Sequence, residues 1–208
     1  MLPIGLRGHN LKKVFNRRII FEDVSFSLRS QQTLLISGPN GSGKSTLVKM
    51  IGGVLTPTGG DIEIDVGGNR TDHMMHSVVG FVSPYLQMYE EFSAYENLYY
   101  ALGIRGLPSL RPGIRPLLES LQLQGRLDDP VRTFSSGMKQ RLKLGLAFYT
   151  ESRVIFLDEP GSNLDDQAFA WYLENLKQLS PDQLIFIASN QRNEYPENAE
   201  VLDLLKFK

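Results

Sequence analysis

Residues 38–46 read GPNGSGKST, a stretch with the composition of a phosphate-binding loop. It fits the pattern G-x-x-x-x-G-K-[ST] and lies between an apolar run and a helical pattern. Glycines let backbone N–H groups turn around phosphate oxygens, the lysine reaches the β and γ phosphates, and the hydroxyl after it can ligate Mg²⁺. We therefore expect Ser45 to be a magnesium ligand. The predicted nucleotide contacts are Gly38, Pro39, Asn40, Gly41, Ser42, Gly43, Lys44, Ser45 and Thr46.

Two carboxylates follow the apolar run VIFL at 154–157. They are Asp158 and Glu159, and this position predicts that they lie at the carboxyl edge of a parallel strand, where ligands usually bind. Asp158 suits a Mg²⁺ ligand, directly or through water, and Glu159 suits a general base or water-positioning group for attack on a γ-phosphate. A solvated strand end or a helix cap is the alternative interpretation, and the phosphate loop upstream favours the chemical one.

A parallel sheet is needed to position these groups. The short apolar runs TLLISG at 33–38, VIFLDE at 154–159 and LIFIAS at 184–189 predict buried strands of a parallel α/β core. Earlier segments alternate between apolar and polar residues, as antiparallel strands with one solvated face do. We predict an α/β fold: a P-loop NTPase core with a mainly parallel sheet, an N-terminal antiparallel β subdomain and a helical subdomain at about 85–150. All of it belongs to a single domain spanning 1–208.

The stretch RTFSSGMKQRLKLGLAF at 132–148 opens with small polar residues. Ser135, Ser136 and Gly137 have the character of a helix cap, and the residues after them place an apolar stripe on one helical face. On these residues alone, an ordinary capped helix is the simplest interpretation. The predicted stripe consists of Met138, Leu142, Gly145, Leu146 and Tyr149.

The order of the motifs gives this helix start a further meaning. FSSGM at 134–138 resembles the signature Leu-Ser-Gly-Gly-Gln of the ATP-binding-cassette (ABC) ATPases, and SNLD at 162–165 resembles the loop after their second acidic motif. In that family two cassettes face each other, and the signature of one covers the γ-phosphate held by the other. The resemblance implies ATP and Mg²⁺ as ligands, a second copy of this chain as a partner, and Ser135 and Gly137 as donors to the facing site. It also implies that Phe15 stacks on adenine, with core packing as the alternative.

The chain departs from the family pattern at two places near the expected site. In VGFVSPYLQMYEEFSAYENL, Pro84 stands where the family has a glutamine. Gln87, three residues on, is the candidate to substitute for that glutamine, and an exposed loop residue is the simpler interpretation of it. In IFIASNQ, Asn190 stands where the family has a histidine that contacts the γ-phosphate. An amide donates one hydrogen bond there without carrying charge, so Asn190 is a candidate catalytic residue beside Glu159. Within the signature, Ser136 and Met138 replace the usual glycine and glutamine.

Other side chains that could do chemistry have simpler interpretations. The pair in HMMH at 73–76 has no third ligand nearby in the sequence, so metal binding is not favoured there. Five tyrosines are interpreted as the packing and contact face of the helical subdomain, the region that docks a membrane subunit in transporters of the resembled family. These are Tyr85, Tyr89, Tyr95, Tyr99 and Tyr100.

Composition limits the classes of partner. The 208 residues carry a formal net charge of −1, which predicts no attraction to nucleic acid. The absence of cysteine excludes thiolate metal sites. No apolar run reaches the ~18 residues of a membrane span. We expect a cytoplasmic protein that is peripheral on the inner face of the cell membrane through membrane partners.

The resemblance implies a function for the chain as a whole. We expect an ATP-binding and hydrolysing subunit of an ABC transporter complex, with integral membrane subunits as partners. The short chain and the stretch SPYLQMYEEFSAYENL are similar to the ATP-binding subunits of cytochrome c maturation haem exporters. A nucleotide-binding regulatory subunit with little or no turnover is the alternative, motivated by Pro84 and Asn190.

Overall fold

The computed structural model describes residues 3–71, 79–150, 152–178 and 182–208. The described part of the chain forms two β-sheets with helices packed on them. Its strands are β1 (Ile4–Phe15), β2 (Arg18–Arg29), β3 (Thr33–Ser37), β4 (Gly59–Val66), β5 (Asn69–Thr71), β6 (Val79–Val82), β7 (Val154–Asp158), β8 (Leu184–Ala188) and β9 (Glu200–Asp203). Its α-helices are α1 (Lys44–Ile51), α2 (Ala94–Ile104), α3 (Ile114–Ser120), α4 (Ser136–Tyr149) and α5 (Asp166–Lys177). Short 3₁₀ turns cover Pro108–Gly113, Gln124–Arg126, Val131–Thr133, Arg192–Glu194 and Leu204–Phe207.

The first sheet is antiparallel and has the strand order β2-β1-β4-β5. The inner strand β1 alternates between buried and partly exposed residues at its start. Ile4 and Leu6 are buried, and the residues between and after them are partly exposed. The buried side chains join those of the second sheet in one core cluster, whose members include Leu47 of α1 and Phe186 of β8. The predicted N-terminal antiparallel subdomain is confirmed.

The second sheet has the order β6-β7-β8-β3-β9, and all of its neighbouring strands run parallel. Helices cover both faces, so its central strands bury side chains on both sides. On β7, Phe156 joins the cluster that holds α1, whereas Ile155 and Leu157 join the cluster that holds Leu144 of α4 and Tyr172 of α5. The three strands predicted from apolar runs are confirmed.

The helical layer consists of α2, α3 and one face of α4. A capping box starts α2: the Ser93 hydroxyl accepts from the Glu96 N–H at 3.1 Å, and the Glu96 carboxylate accepts from the Ser93 N–H at 2.8 Å. On α4, Leu142 packs into this layer, whereas Leu144 and Ala147 pack against the parallel sheet. Helix α4 therefore joins the helical layer to the sheet. Within the described residues, every helix is too short or too polar to span a membrane.

Candidate nucleotide-binding site

The loop between β3 and α1 has the backbone of a phosphate cradle. Gly38, Gly41 and Gly43 have φ angles of 145°, 76° and 107°, a region that L side chains rarely adopt. A Cβ at Gly43 would lie 2.7 Å from Cγ2 of Ile20, so the loop also needs glycine there for space. Helix α1 starts at Lys44 with no side-chain cap. Its first N–H groups therefore suit an anion such as phosphate.

Lys44 points back over this loop. Its Nζ donates to the carbonyl oxygens of Gly38 at 2.7 Å and Pro39 at 3.3 Å. Burial lowers the pKa of the Lys44 ammonium, while the nearby carboxylates of Glu159 and Asp158 oppose that effect. Because its hydrogen bonds go to uncharged carbonyls, a phosphate oxygen would supply counter-charge at this position.

The predicted magnesium ligands lie side by side. The Ser45 hydroxyl donates to Oδ1 of Asp158 at 3.0 Å, and the Ser83 hydroxyl donates to Oδ2 at 3.4 Å. Burial raises the pKa of Asp158 and the charge of Glu159 adds to this, while the two hydroxyls and Lys49 lower it. Hydroxyl and carboxylate oxygens are the ligands that Mg²⁺ prefers, so this pair fits the ion.

Glu159 is positioned by the backbone that continues from β7. Its N–H donates to the carbonyl of Ala188 at 2.9 Å, and its φ angle of 49° turns the chain out of the strand. The side chain lines a cavity of about 410 Å³, within the size range of small-ligand sites. The lining residues are Ile20, Asn40, Gly41, Gly43, Lys44, Ser45, Thr46, Tyr85 and Glu159. The predicted general base and the phosphate loop thus share one cavity.

Asn190 reaches the same loop from the end of β8. Its Nδ2 donates to Oδ1 of Asn40 at 3.1 Å. The residue before it, Ser189, donates its hydroxyl to the carboxylate of Glu194, which is 1% exposed. This contact anchors the turn that carries Asn190. The ends of β7 and β8 therefore bring both candidate catalytic residues to the phosphate loop.

Of the predicted residues that do not line the cavity, Gly38, Pro39 and Ser42 belong to the phosphate loop, and Asp158 and Asn190 contact that loop. The other three are Phe15, Ser135 and Gly137. Ser135 is the N-cap of α4, where its hydroxyl accepts from the Met138 N–H at 3.2 Å. At Gly137 a Cβ would lie 2.7 Å from the carbonyl oxygen of Asn163, in the loop before α5. Phe15 is 43% exposed at the end of β1. The cap is as predicted, and the roles of Ser135, Gly137 and Phe15 toward nucleotide stay predictions.

The predicted helical stripe on α4 is confirmed. Leu142 is buried in the helical layer, and the side chains of Met138, Leu146 and Tyr149 pack against it. A Cβ on Gly145 would meet Leu121 of the same layer. The stripe therefore packs α4 against the helical layer, and the cap residues lie at the N-terminal end of that helix.

The loop after β6 brings an unexpected residue to the site. Gln87 is exposed and lines a different groove together with Glu90 and Lys139. Tyr85 lines the cavity instead. Its assignment to the packing face of the helical subdomain was therefore wrong, whereas Tyr95 and Tyr99 pack there. The sequence signal for Tyr85 was its place directly after Pro84. The histidine pair at 73–76 lies outside the described residues.

The geometry agrees with a match to a known family. The model of the family described as ABC transporter matches residues 21–162. The chain belongs to this family. ABC proteins of this kind bind ATP, generally with Mg²⁺, and hydrolyse it to power transport.

Individual ABC relatives resemble the chain at moderate identity. It is 31% identical over 201 residues to the linearmycin resistance ATP-binding protein LnrL of Bacillus subtilis, with 95% of this chain and 63% of LnrL covered. It is 30% identical to the lantibiotic transport ATP-binding protein SrtF of Streptococcus pyogenes, with 96% of this chain and 86% of SrtF covered. Among LnrL and several similar relatives, the chain spans 49% to 66% of their length.

A solved ABC structure has the same fold. It is an ATP-binding subunit of an ABC transporter, with a TM-score of 0.77 and 28% identity, and the match covers 91% of this chain and 79% of that one. The predicted α/β fold of a P-loop NTPase, with its parallel and antiparallel sheets and its helices, is confirmed.

Proposed function

We propose that this chain binds and hydrolyses ATP as the ATP-binding subunit of an ABC transporter complex. The observation that carries the proposal is the shared cavity, in which Glu159 faces the phosphate loop beside Lys44 and Ser45. A carboxylate in that position can accept the proton of a water that attacks the γ-phosphate. The Lys44 ammonium and the N–H groups at the start of α1 hold the phosphate oxygens in place.

Magnesium would be held by Ser45 and Asp158. When bound, Mg²⁺ neutralises charge on the phosphate oxygens. The residues of this chain provide the site: the buried Asp158 carboxylate lies 3.0 Å from the Ser45 hydroxyl, so both oxygens face one ion position. Glu159 follows Asp158 directly, which places the general base beside the metal ligand in the chain.

A second copy of the chain would complete the site. The cap of α4, with Ser135 and Gly137, lies outside the cavity lining of its own chain, and Ser135 and Ser136 are exposed. A helix N-terminus that is exposed in this way suits a phosphate from another molecule. In such a dimer, the Ser135→Arg change obstructs the facing site while ATP binding to the single chain persists. Specific activity that is independent of chain concentration would contradict a composite site.

The remaining partners are integral membrane subunits, which would hold the chain at the cytoplasmic side of the membrane. LnrL is named for linearmycin resistance and SrtF for lantibiotic transport, so these two relatives are named for different compounds. Exposed rings of Tyr89, Phe92 and Tyr100 on the helical layer form a contiguous aromatic surface suited to such a subunit. Haem export in cytochrome c maturation stays a more specific prediction from the resemblance. Phe15 is proposed to stack on adenine.

The test is phosphate release by the chain bound to its membrane subunits, at saturating Mg·ATP. Glu159→Gln is expected to lower the rate about 10²- to 10⁴-fold, the usual contribution of a positioned general base, while ATP binding is retained. Lys44→Ala is expected to lose binding as well. Glu119→Gln, on the exposed side of α3, is the matched control and should behave like the parent.

The same assay separates turnover from regulation. A regulatory subunit without turnover, the alternative that Pro84 and Asn190 motivate, would release phosphate at the same background rate with and without the Glu159 carboxylate. A rate that depends on Glu159 excludes that alternative.

A further inference from the structure

Tyr85 lies on the metal side of the cavity. Its ring centroid is 4.4 Å from Nζ of Lys49, which lies one helical turn after Ser45 on the same face of α1. The charge of Lys49 also acts on Asp158, whose pKa it lowers. The Tyr85 ring is therefore next to a cation whose charge acts on the predicted magnesium ligand Asp158.

The backbone of the loop aims Tyr85 at this place. The Leu86 N–H donates to the Ser83 carbonyl at 3.1 Å, which closes a turn with Pro84 at its second position. Proline fixes φ there and stiffens the turn. The Tyr85 N–H donates to the Ser83 hydroxyl at 3.2 Å, and that hydroxyl donates to Asp158. Tyr85 is thus linked to the metal-site carboxylate through a single serine.

A second contact fixes the same serine from the signature helix. Nζ of Lys143 on α4 donates to the Ser83 carbonyl at 3.3 Å. Helix α4 therefore contacts the turn that carries Tyr85. The loop after β6 consequently has a defined position between the metal site and the helical layer, although it contains no glutamine at residue 84.

The Tyr85 side chain is available to a ligand. It is 70% exposed, although it lines the cavity with Lys44, Ser45 and Glu159. Its phenol is a hydrogen-bond donor, and bonds from such donors to charged phosphate oxygens are stronger than bonds between neutral groups.

We propose that the Tyr85 hydroxyl contacts the γ-phosphate of bound Mg·ATP, so that this residue serves in place of the glutamine that is absent at residue 84. The inference depends on the proposed ATP binding at this cavity. It concerns the terminal phosphate specifically, because Tyr85 shares the cavity lining with Glu159, the proposed general base for attack on that phosphate. Mg·ADP lacks that phosphate and should not sense the hydroxyl.

The test is calorimetric titration with Mg·ATP and Mg·ADP in the Glu159→Gln background, which removes turnover. Tyr85→Phe keeps the ring and removes only the hydroxyl. It is expected to weaken Mg·ATP binding about tenfold, the lower end of what a hydrogen bond to a charged group contributes, with Mg·ADP binding unchanged. Tyr85→Ala should weaken Mg·ATP binding at least as much. Glu119→Gln, on the exposed side of α3, is the control and should change neither affinity.

The inference would be overturned if Tyr85→Phe left the ratio of ATP to ADP affinity unchanged, whether both affinities stayed the same or both fell equally. Thermal melting of each variant checks that the fold is retained. The result is distinguishable from a failure of the proposed function. If the parent complex hydrolyses no ATP but Tyr85→Phe still changes the affinity ratio, the proposed ATPase activity is wrong and the contact stands.

Discussion

The ends of β7 and β6 are neighbours in one parallel sheet, yet they supply the site in different ways. At the end of β7, Asp158 is fully buried and Glu159 lines the cavity. At the end of β6, a turn carries Ser83 and an exposed tyrosine. Both strand ends reach the same carboxylate, because parallel pairing brings Val82 level with Leu157. One edge of the sheet therefore carries two kinds of side chain, carboxylates at the end of β7 and hydroxyls after β6. Only the carboxylates belong to a familiar sequence pattern.

The two hydroxyls on Asp158 show the same contrast. Ser45 donates to Oδ1 at 3.0 Å from the start of a helix, whereas Ser83 donates to Oδ2 at 3.4 Å from a turn. The shorter contact comes from the more regular element, since α1 fixes Ser45 by its backbone. We infer that the Ser45 hydroxyl contributes more to the proposed ion site than the Ser83 hydroxyl does.

Asp158→Asn should have the largest effect of the changes considered next. Loss of the ligand charge is expected to weaken Mg·ATP binding at least about 100-fold, more than the loss of an outer partner usually does. Burial raises the pKa of this carboxyl above its unfolded value, so the folded protein holds the proton more tightly. Its contribution to stability is therefore lost as pH rises through the folded pKa.

At pH 7 the nucleotide-free Asp158→Asn protein should consequently be more stable than the parent. The expected gain is roughly 1 kcal/mol, or about 2–4 °C in Tm, because a buried charge is replaced by a neutral amide. The gain should shrink as pH is lowered toward 4. Calorimetric titration and thermal melting at several pH values test both parts, and a lower Tm at pH 7 would contradict the assignment of Asp158 as a costly buried charge.

Ser45→Ala and Ser83→Ala form a matched pair around that carboxylate. Ser45→Ala is expected to weaken Mg·ATP binding about tenfold or more, because it removes both a metal ligand and a hydrogen bond to a charged group. Ser83→Ala removes the longer bond and should weaken binding only about threefold. The measurement is the affinity for ATP with and without Mg²⁺. Equal losses would mean that the hydroxyls of α1 and of the turn after β6 contribute equally to the ion site.

Sequence patterns predicted the phosphate loop and the end of β7 well. Apolar runs identify parallel strands because both faces of those strands are covered, and the glycine positions of the phosphate loop follow from their φ angles. The cap at Ser135 was also predictable, since its hydroxyl serves a local N–H. These features depend on residues that are close in the chain.

The turn after β6, at 83–86, was not predictable in the same way. Tyr85 meets Lys49 only because the turn at 83–86 folds against α1, and no local pattern contains that approach. The positive φ angles of Glu159 and Asn163, 49° and 63°, likewise come from the packing of the loop after β7. Tertiary contacts of this kind involve residues that are far apart in sequence. The phosphate-loop motif therefore indicates where the site is without indicating which distant residues line its cavity.

Asn190→His should have the smallest effect. It tests the end of β8, which precedes residue 190, against the ends of β7 and β6. The turn that carries residue 190 is anchored by Ser189 and the buried Glu194, so a new side chain should start from the same backbone position. Asparagine and a neutral histidine each donate one hydrogen bond in that direction, and a single neutral bond contributes about 1 kcal/mol. We expect phosphate release at saturating Mg·ATP to change less than about threefold. Asn190→Ala, which also removes the bond to Asn40, should lower the rate more than Asn190→His does. A tenfold or larger increase in the histidine variant would instead show that this strand end limits turnover in the parent chain, and that the carboxylate at Glu159 acts with an incomplete partner.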